Sequence, residues 1–391
     1  MSSMKIALLA PSIYMSPIKF GDMIFAPRDL SIELADGLVD RGHEVYFFTA
    51  HDITTKAKLI PGDKKLLLHD YVAGSLGDQQ SERLQWGYLS TLKHNYEFDL
   101  TVRCYEFAKK NGLDIVHSYH ERLAHFWQEC TDFPTVYTLH DPLPLQEITL
   151  LYWLLDRFKA HHYVAISDRQ KYLDQIGLNF VGTVYHGLNL KKYIASVQPG
   201  SYLTFMARLI ESKGISDAIR TAKTTNIPLW IASSVRDENK HDDYYFQKIV
   251  KPEVDNQLIR LTDFMTGDGK SEFFKNSRAF IFPIHWEEPF GLVMIEAMAC
   301  GTPVIAYNRG SVSEVVRDGV TGFIIDPDNQ DRPGKGSWVI KKQGIEGLVE
   351  AVKRVGEIDR MACRKHVEEH FTVEKMVDGY ESVYKKIVAQ R

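Results

Sequence analysis

The chain has few of the features that assign a protein at sight, and each shortage excludes something. It holds 4 cysteines in 391 residues. Cys104, Cys130, Cys300 and Cys363 form no CxxC pair and no metal-ligand spacing, which argues against thiolate zinc sites and leads us to expect four reduced thiols in a cytoplasmic protein. No run approaches the roughly 20 apolar residues needed to cross hydrocarbon. The opening MSSMKIALLAPSIYM lacks a small-residue cleavage site and reads straight into a strand rather than a leader. Charge of one sign is also missing: 47 Lys and Arg stand against 51 Asp and Glu, a net charge of -4. Such a surface offers no strong counterion attraction to a nucleic acid. The loop after the first strand contains no GxGxxG, which weakens a dehydrogenase reading.

What is present is length and alternation. A chain of 391 residues, 44% of them apolar, exceeds the size at which one core usually keeps growing, so two domains are expected. Residues 5–10 read as a buried strand, and Leu30, Leu34, Ala35 and Leu38 fall on one helical face, ended at Gly42 before a second strand at 45–49. Further strands end at Val116 and Leu139, followed by the polar segments HSYHER and HDP. The pattern restarts at Ser201, with strands expected at 202–207, 229–232, 259–264, 279–283, 303–306 and 322–325. Strand and helix in alternation imply parallel sheets covered on both faces, with ligands at the C-terminal ends of the strands. Pro199 and Gly200 suit an exposed boundary, so we divide the chain into domains 1–198 and 199–372, followed by a final amphipathic helix, 373–391.

The chemistry concentrates in the second half. In FMARLIESKGISDAI, Arg208 follows a strand and Lys213 precedes a helix, and a loop between them turns both charges toward one pocket. Together with free helix amides they suit a diphosphate, Arg208 as a planar fork and Lys213 as a mobile point charge. In PIHWEEPFGLVMIEAMACGTPVIAY, Glu288 lies in a loop, Gly291 opens a helix, and Glu296 lies within it. Gly291 lets backbone approach a ligand, Glu288 is placed for sugar hydroxyls, and Glu296 suits the two hydroxyls of a ribose where its face meets the ligand. The rival readings are a solvated Glu296, a surface Arg208 and Lys213, and core packing for Met294 and Met298. A DxD metal site is not placed after a strand: Asp326 and Asp328 come late beside a turn, and Asp242 and Asp243 read as surface charge.

These segments, with RGSVSEVVRDGVTGFII and the early ADGLVDRGHEV, closely resemble the family 4 glycosyltransferases of the GT-B type, and the resemblance spans almost the whole chain. It implies an α/β fold of two facing Rossmann-like domains with an interdomain cleft, and a last helix that returns to the first domain. It implies an enzyme that moves a hexosyl group from a nucleotide diphosphate sugar, of UDP-glucose or GDP-mannose type, to a hydroxyl of a glycan, lipid-linked or small-molecule acceptor, with retention of configuration and without cofactor or metal. By the family motif, Arg208 and Lys213 contact the diphosphate, Glu288 lies by the transferred sugar, and Glu296 binds the ribose. Gly291, Leu292 and Val293 offer backbone groups.

Two departures bear on the acceptor side. Where relatives carry a glycine pair near donor phosphate, this chain has Gly21 followed by Asp22; where many carry HxH, Tyr119 replaces the second histidine and His120 becomes the candidate contact. His117, His140, Asp141, Ser167, Asp168, His186 and Gly187 also end strands, yet the serine and aspartates equally suit helix caps. Competing functions are a nucleotide-sugar epimerase of the same fold, a non-catalytic nucleotide-sugar-binding protein, a phosphorylase and a retaining glycoside hydrolase. Oligomeric state is not legible, and peripheral contact with the cytoplasmic face of a membrane stays open for a lipid-linked acceptor.

Overall fold

A computed structural model describes residues 3–20, 25–63, 80–119, 122–144, 147–233, 244–262, 265, 267–328 and 336–390. Gly21, Asp22, His120, Asp242 and Asp243 lie outside these described residues. The chain forms two compact units, one made of Met1–Ile166, Leu173–Val184 and Met376–Arg391, the other of Ser167–Tyr172 and Tyr185–Lys375.

The first unit is built on a seven-stranded sheet in the order β3-β2-β1-β4-β5-β6-β7. Its strands are β1 (Lys5–Leu9), β2 (Glu44–Thr49), β3 (Lys58–Pro61), β4 (Ile115–Ser118), β5 (Thr135–Thr138), β6 (His162–Ala165) and β7 (Phe180–Thr183). Every neighbouring pair runs parallel. The central strands β4 and β5 are buried at every residue, as expected of parallel strands covered on both faces. Helix Ala26–Asp40 buries Leu30, Leu34, Ala35 and Leu38, the face the spacing marks. Two edge strands escape a reading by hydrophobic runs. The strand β3 is exposed or half-exposed throughout, and β7 is half-exposed with a glycine in it.

The last helix, Val373–Val388, contributes its residues from Met376 onward to this unit. Tyr384 and Tyr380 hydroxyls meet His117 Nδ1 at 2.6 Å and Thr138 Oγ1 at 2.9 Å, at the ends of β4 and β5. Glu381 Oε1 lies 2.6 Å from His43 Nε2 inside the same packing. Because Met4 N donates to His43 Nδ1, the remaining ring nitrogen is the one that donates to the glutamate.

The second unit carries a six-stranded parallel sheet in the order β10-β9-β8-β11-β12-β13. The strands are β8 (Tyr202–Met206), β9 (Leu229–Ala232), β10 (Ile259–Thr262), β11 (Ser277–Phe282), β12 (Val304–Tyr307) and β13 (Gly322–Ile325). The order reverses between β8 and β11, and the carboxyl ends of the strands at such a reversal are where an open parallel sheet takes its ligands. The cations and glutamates singled out in the sequence leave from these two strands.

Candidate active site

The loop after β8 carries Arg208, exposed, and then Lys213, which is buried at the end of a short 3-10 turn. The next residue fixes the approach. Gly214 has φ +74°, and a Cβ there would stand 1.7 Å from the carbonyl oxygen of Pro283, just beyond β11. Only glycine lets the two loops touch at this point, and His285 N closes the contact by donating to Ser212 O at 2.9 Å. Lys213 and Glu288, 75 residues apart, are thereby joined at 2.9 Å between Nζ and Oε2.

Burial lowers the Lys213 pKa most strongly, with Glu288 and its hydrogen bond opposing the shift and the nearby positive charge of Arg208 adding to it. The carboxylate therefore opposes the loss of the proton that burial favours. Trp286 completes the group: its Nε1 donates to the same Glu288 Oε2 at 2.7 Å, and the Lys213 ammonium stands 3.7 Å from its ring centroid.

Past Glu288 the chain turns through Gly291, at φ +77°, into helix Leu292–Ala299, and no side chain caps this end. Leu292 and Val293 are half-buried, and their amides belong to the first turn, which has no intrahelical acceptor. Met294 and Met298 are fully buried core. Glu296 is not a solvated face residue: it is 8% exposed, and its Oε1 accepts from Lys270 Nζ at 2.8 Å and from Tyr193 OH at 3.0 Å. One cluster thus gathers Lys213, Glu288 and Gly291, with Arg208 close enough to Lys213 for its charge to be felt there, and Glu296 follows in the helix that Gly291 opens.

Partners missing from the sequence reading are Trp286, Lys270, Tyr193, Glu287 and Glu314. Glu287 Oε2 accepts from Gly310 N at 2.7 Å and lies 3.6 Å from Arg169, so it holds a neighbouring turn. Glu314 accepts from the amides of Asp168 and Arg169 at 2.8 and 2.5 Å, and from Tyr185 OH at 2.9 Å. Ser167 Oγ accepts from Gln170 N at 3.1 Å and Asp168 pairs with Lys171 at 2.8 Å, which makes both residues helix-end groups here. His186 sits with its ring 4.8 Å from Phe290, and Gly187 packs on the backbone of Thr372. Asp326 Oδ1 accepts from Asn308 and Trp338, each at 3.2 Å, and Asp328 faces Arg309, so this pair serves local turns. Among the described residues no group of three or more His, Cys, Asp and Glu is arranged to hold a metal ion.

In the first unit the strand-end residues form an aromatic stack. Tyr119 lies between His117 and His140, with ring centroids at 4.7 and 4.9 Å. His117 is fully buried and spends both nitrogens on Tyr384 and Thr138. Burial pushes both histidines down to about 3, with the charge of His140 adding to the shift of His117. His140 and Asp141 also line a shallow pocket with Leu139, Pro142, Leu143, Leu151 and Leu155.

Comparison with known proteins accounts for both units. The profile for Glycosyltransferase Family 4 matches residues 31–192, and that for Glycosyl transferases group 1 matches residues 190–336. The chain belongs to the family 4 glycosyltransferases of the GT-B fold. It is similar to the capsular polysaccharide biosynthesis glycosyltransferase CapM of Staphylococcus aureus, 28% identical over 50% of this chain and 48% of that protein. Matches to two glycosyltransferases of Methanocaldococcus jannaschii and Bacillus subtilis cover 36% and 34% of those proteins, so the chain spans half or less of the length of these curated relatives. Among solved structures it resembles the sucrose-phosphate synthase of Thermosynechococcus elongatus, with a TM-score of 0.72 at 18% identity over 99% of this chain and 100% of that one. It also resembles Anabaena HepE in complex with UDP and glucose, with a TM-score of 0.65 at 17% identity over 98% and 100% of the two chains. At these identities the likeness speaks for the fold.

Proposed function

We propose that this protein is a retaining glycosyltransferase, moving a hexosyl group from a nucleotide diphosphate sugar to a hydroxyl acceptor. The observation that carries the reading is the pairing of the buried Lys213 with Glu288 beside the uncapped helix end at Gly291. Breaking the bond between the sugar and the phosphate builds negative charge on the departing diphosphate. Preorganised cations and amides aimed at that charge are often a leading contribution to catalysis. Lys213, Arg208 and the amides of Gly291, Leu292 and Val293 supply that potential here. Glu288, within the same cluster, is assigned to the hydroxyls of the transferred sugar, and Glu296 to the ribose. Among the described residues both partners of Glu296 take Oε1, leaving Oε2 to the nucleotide. We assign His120 as an acceptor-side contact and Gly21 as a donor-binding residue whose backbone approaches donor phosphate and acceptor, with the Tyr119 and Asp22 departures altering acceptor choice more than donor binding.

UDP-linked and GDP-linked hexoses are the first donors to try, the former because the structurally similar HepE was solved with UDP and glucose. No helix among the described residues is long and apolar enough to cross a membrane, and we place the enzyme in the cytoplasm, at a membrane face if its acceptor is lipid-linked. The test is a panel of UDP-, GDP- and ADP-sugars with mixed acceptors read by mass spectrometry, with the product anomer assigned by NMR. Acceptor-dependent product with the donor's configuration supports the proposal. An inverted product removes the retaining assignment, conversion of the donor without acceptor makes the protein an epimerase, and tight nucleotide-sugar binding without turnover makes it a binding protein.

A further inference from the structure

Resting on the donor-site reading just given, we infer that Trp286 is a positioning residue that keeps Lys213 charged and Glu288 aimed while the ammonium passes from the carboxylate to the donor diphosphate. Three contacts close a small ring of interactions. Lys213 Nζ donates to Glu288 Oε2 at 2.9 Å, Trp286 Nε1 donates to that same oxygen at 2.7 Å, and the ammonium faces the indole at 3.7 Å from its centroid. Among the described residues Glu288 Oε1 has no hydrogen-bond partner, so the indole fixes which oxygen turns toward Lys213 and which is left for a sugar hydroxyl.

The arrangement solves a physical problem of the site. A lysine held only by a carboxylate cannot move to phosphate without leaving that carboxylate as a half-buried, unpaired anion next to a developing anion. The indole N–H stays on Oε2 when the ammonium leaves and limits that penalty. The ring face does the complementary work for the cation. An aromatic face attracts an ammonium without offering a site for its proton, and it does so most strongly where water is excluded. Lys213 needs this help, since burial and Arg208 both act to discharge it.

The two functions separate by substitution. Trp286→Phe keeps an aromatic face and removes the N–H, whereas Trp286→Leu removes both. We expect Trp286→Phe to lower kcat about tenfold, the scale of one hydrogen bond to a charged group, with the affinity for nucleotide diphosphate changed less than about twofold. Trp286→Leu lowers kcat further and moves the alkaline limb of the kcat/KM profile to lower pH, because Lys213 loses its proton more readily without the ring. Trp286→Phe leaves that limb in place. Thermal melting and nucleotide calorimetry on each variant establish that the unit is folded. Folded variants with unchanged kcat, or a limb that shifts equally in both, overturn the role given to Trp286. Lys213→Ala and Glu288→Ala, assayed alongside, separate this failure from a deeper one: if both remain fully active, the donor-site reading itself falls.

Discussion

At the carboxyl ends of its sheet, the second unit gathers formal charge: an ammonium on a carboxylate at 2.9 Å, and a second such pair, Lys270 with Glu296, at 2.8 Å. At the same ends of its own sheet the first unit gathers rings. Tyr119, His117 and His140 stack, and tyrosines from the last helix take up the hydrogen bonds. Both units use the position where a parallel sheet presents its ligands, but to different ends. A paired cation can be re-paired with an anionic ligand where the carboxylate it leaves keeps another donor, as Glu288 keeps Trp286, whereas a neutral stack offers no charge to exchange. Under the proposed function, the second unit would take the diphosphate and the first a neutral, hydroxyl-bearing partner.

The contrast breaks most visibly at Lys213. Lys213→Ala should lower transfer by about 100-fold or more, because it removes a preorganised cation and leaves the half-buried Glu288 without its ion-pair partner. Steady-state rates with saturating acceptor check this, and a loss below about fivefold would move the diphosphate elsewhere. Next in size is a split between the two glutamates. Glu296→Ala should weaken binding of free nucleotide diphosphate about ten to hundredfold, the scale of charge-assisted hydrogen bonds. Glu288→Ala should hold that affinity or raise it, since Lys213 is then unpaired and available to phosphate, while transfer falls. Calorimetry with nucleotide diphosphate decides, and the reverse pattern would exchange the two roles.

A smaller effect sharpens the other side. His117 and His140 titrate at about 3 in the folded protein against about 6.5 unfolded, so both are neutral between pH 5 and 8. The sign follows from proton uptake. Below about pH 6.5 the unfolded chain gains protons that the folded one refuses, so stability falls as the pH drops toward 3 and is level above 7. Melting temperatures taken from pH 7.5 to 5 should decline, and His117→Gln should flatten part of the decline. No kinetic limb between pH 5 and 8 should vanish with His117. The smallest expected effect is that of chelation, with transfer rates unchanged by EDTA and a strict need for magnesium or manganese as the contrary result.

Much of the fold is legible from hydrophobic runs, because parallel strands buried on both faces write themselves as such runs: KIALL, TVYT and GFII are examples. The edge strands β3 and β7 are not legible for the same reason, being half in solvent. In the site, the loop residues Lys213 and Glu288 could be marked because strand ends are where ligands go. Lys270 and Tyr193 could not, since they meet Glu296 only through packing across 26 and 103 residues of chain. Trp286 stood in the quoted motif, but nothing in its spacing told an indole that braces a carboxylate from one that fills a core. The assignments of His120 and Gly21 lie outside the described residues, and His120→Ala, compared for acceptor-dependent rates and donor titration, is their proper trial.

One feature of the chain's path bears on how the protein can be handled. The polypeptide passes between the two units at residues 166/167, 172/173, 184/185 and 375/376. Neither unit is therefore a contiguous stretch of gene. A fragment stopped before Met376 would be deprived of Tyr380 and Tyr384, so His117 and Thr138 would lose the hydroxyl partners that the last helix supplies. Domain exchange with a relative must accordingly carry the carboxyl-terminal residues along with the amino-terminal segment; a graft cut at a single junction would yield a chimera whose first sheet has lost part of its cover.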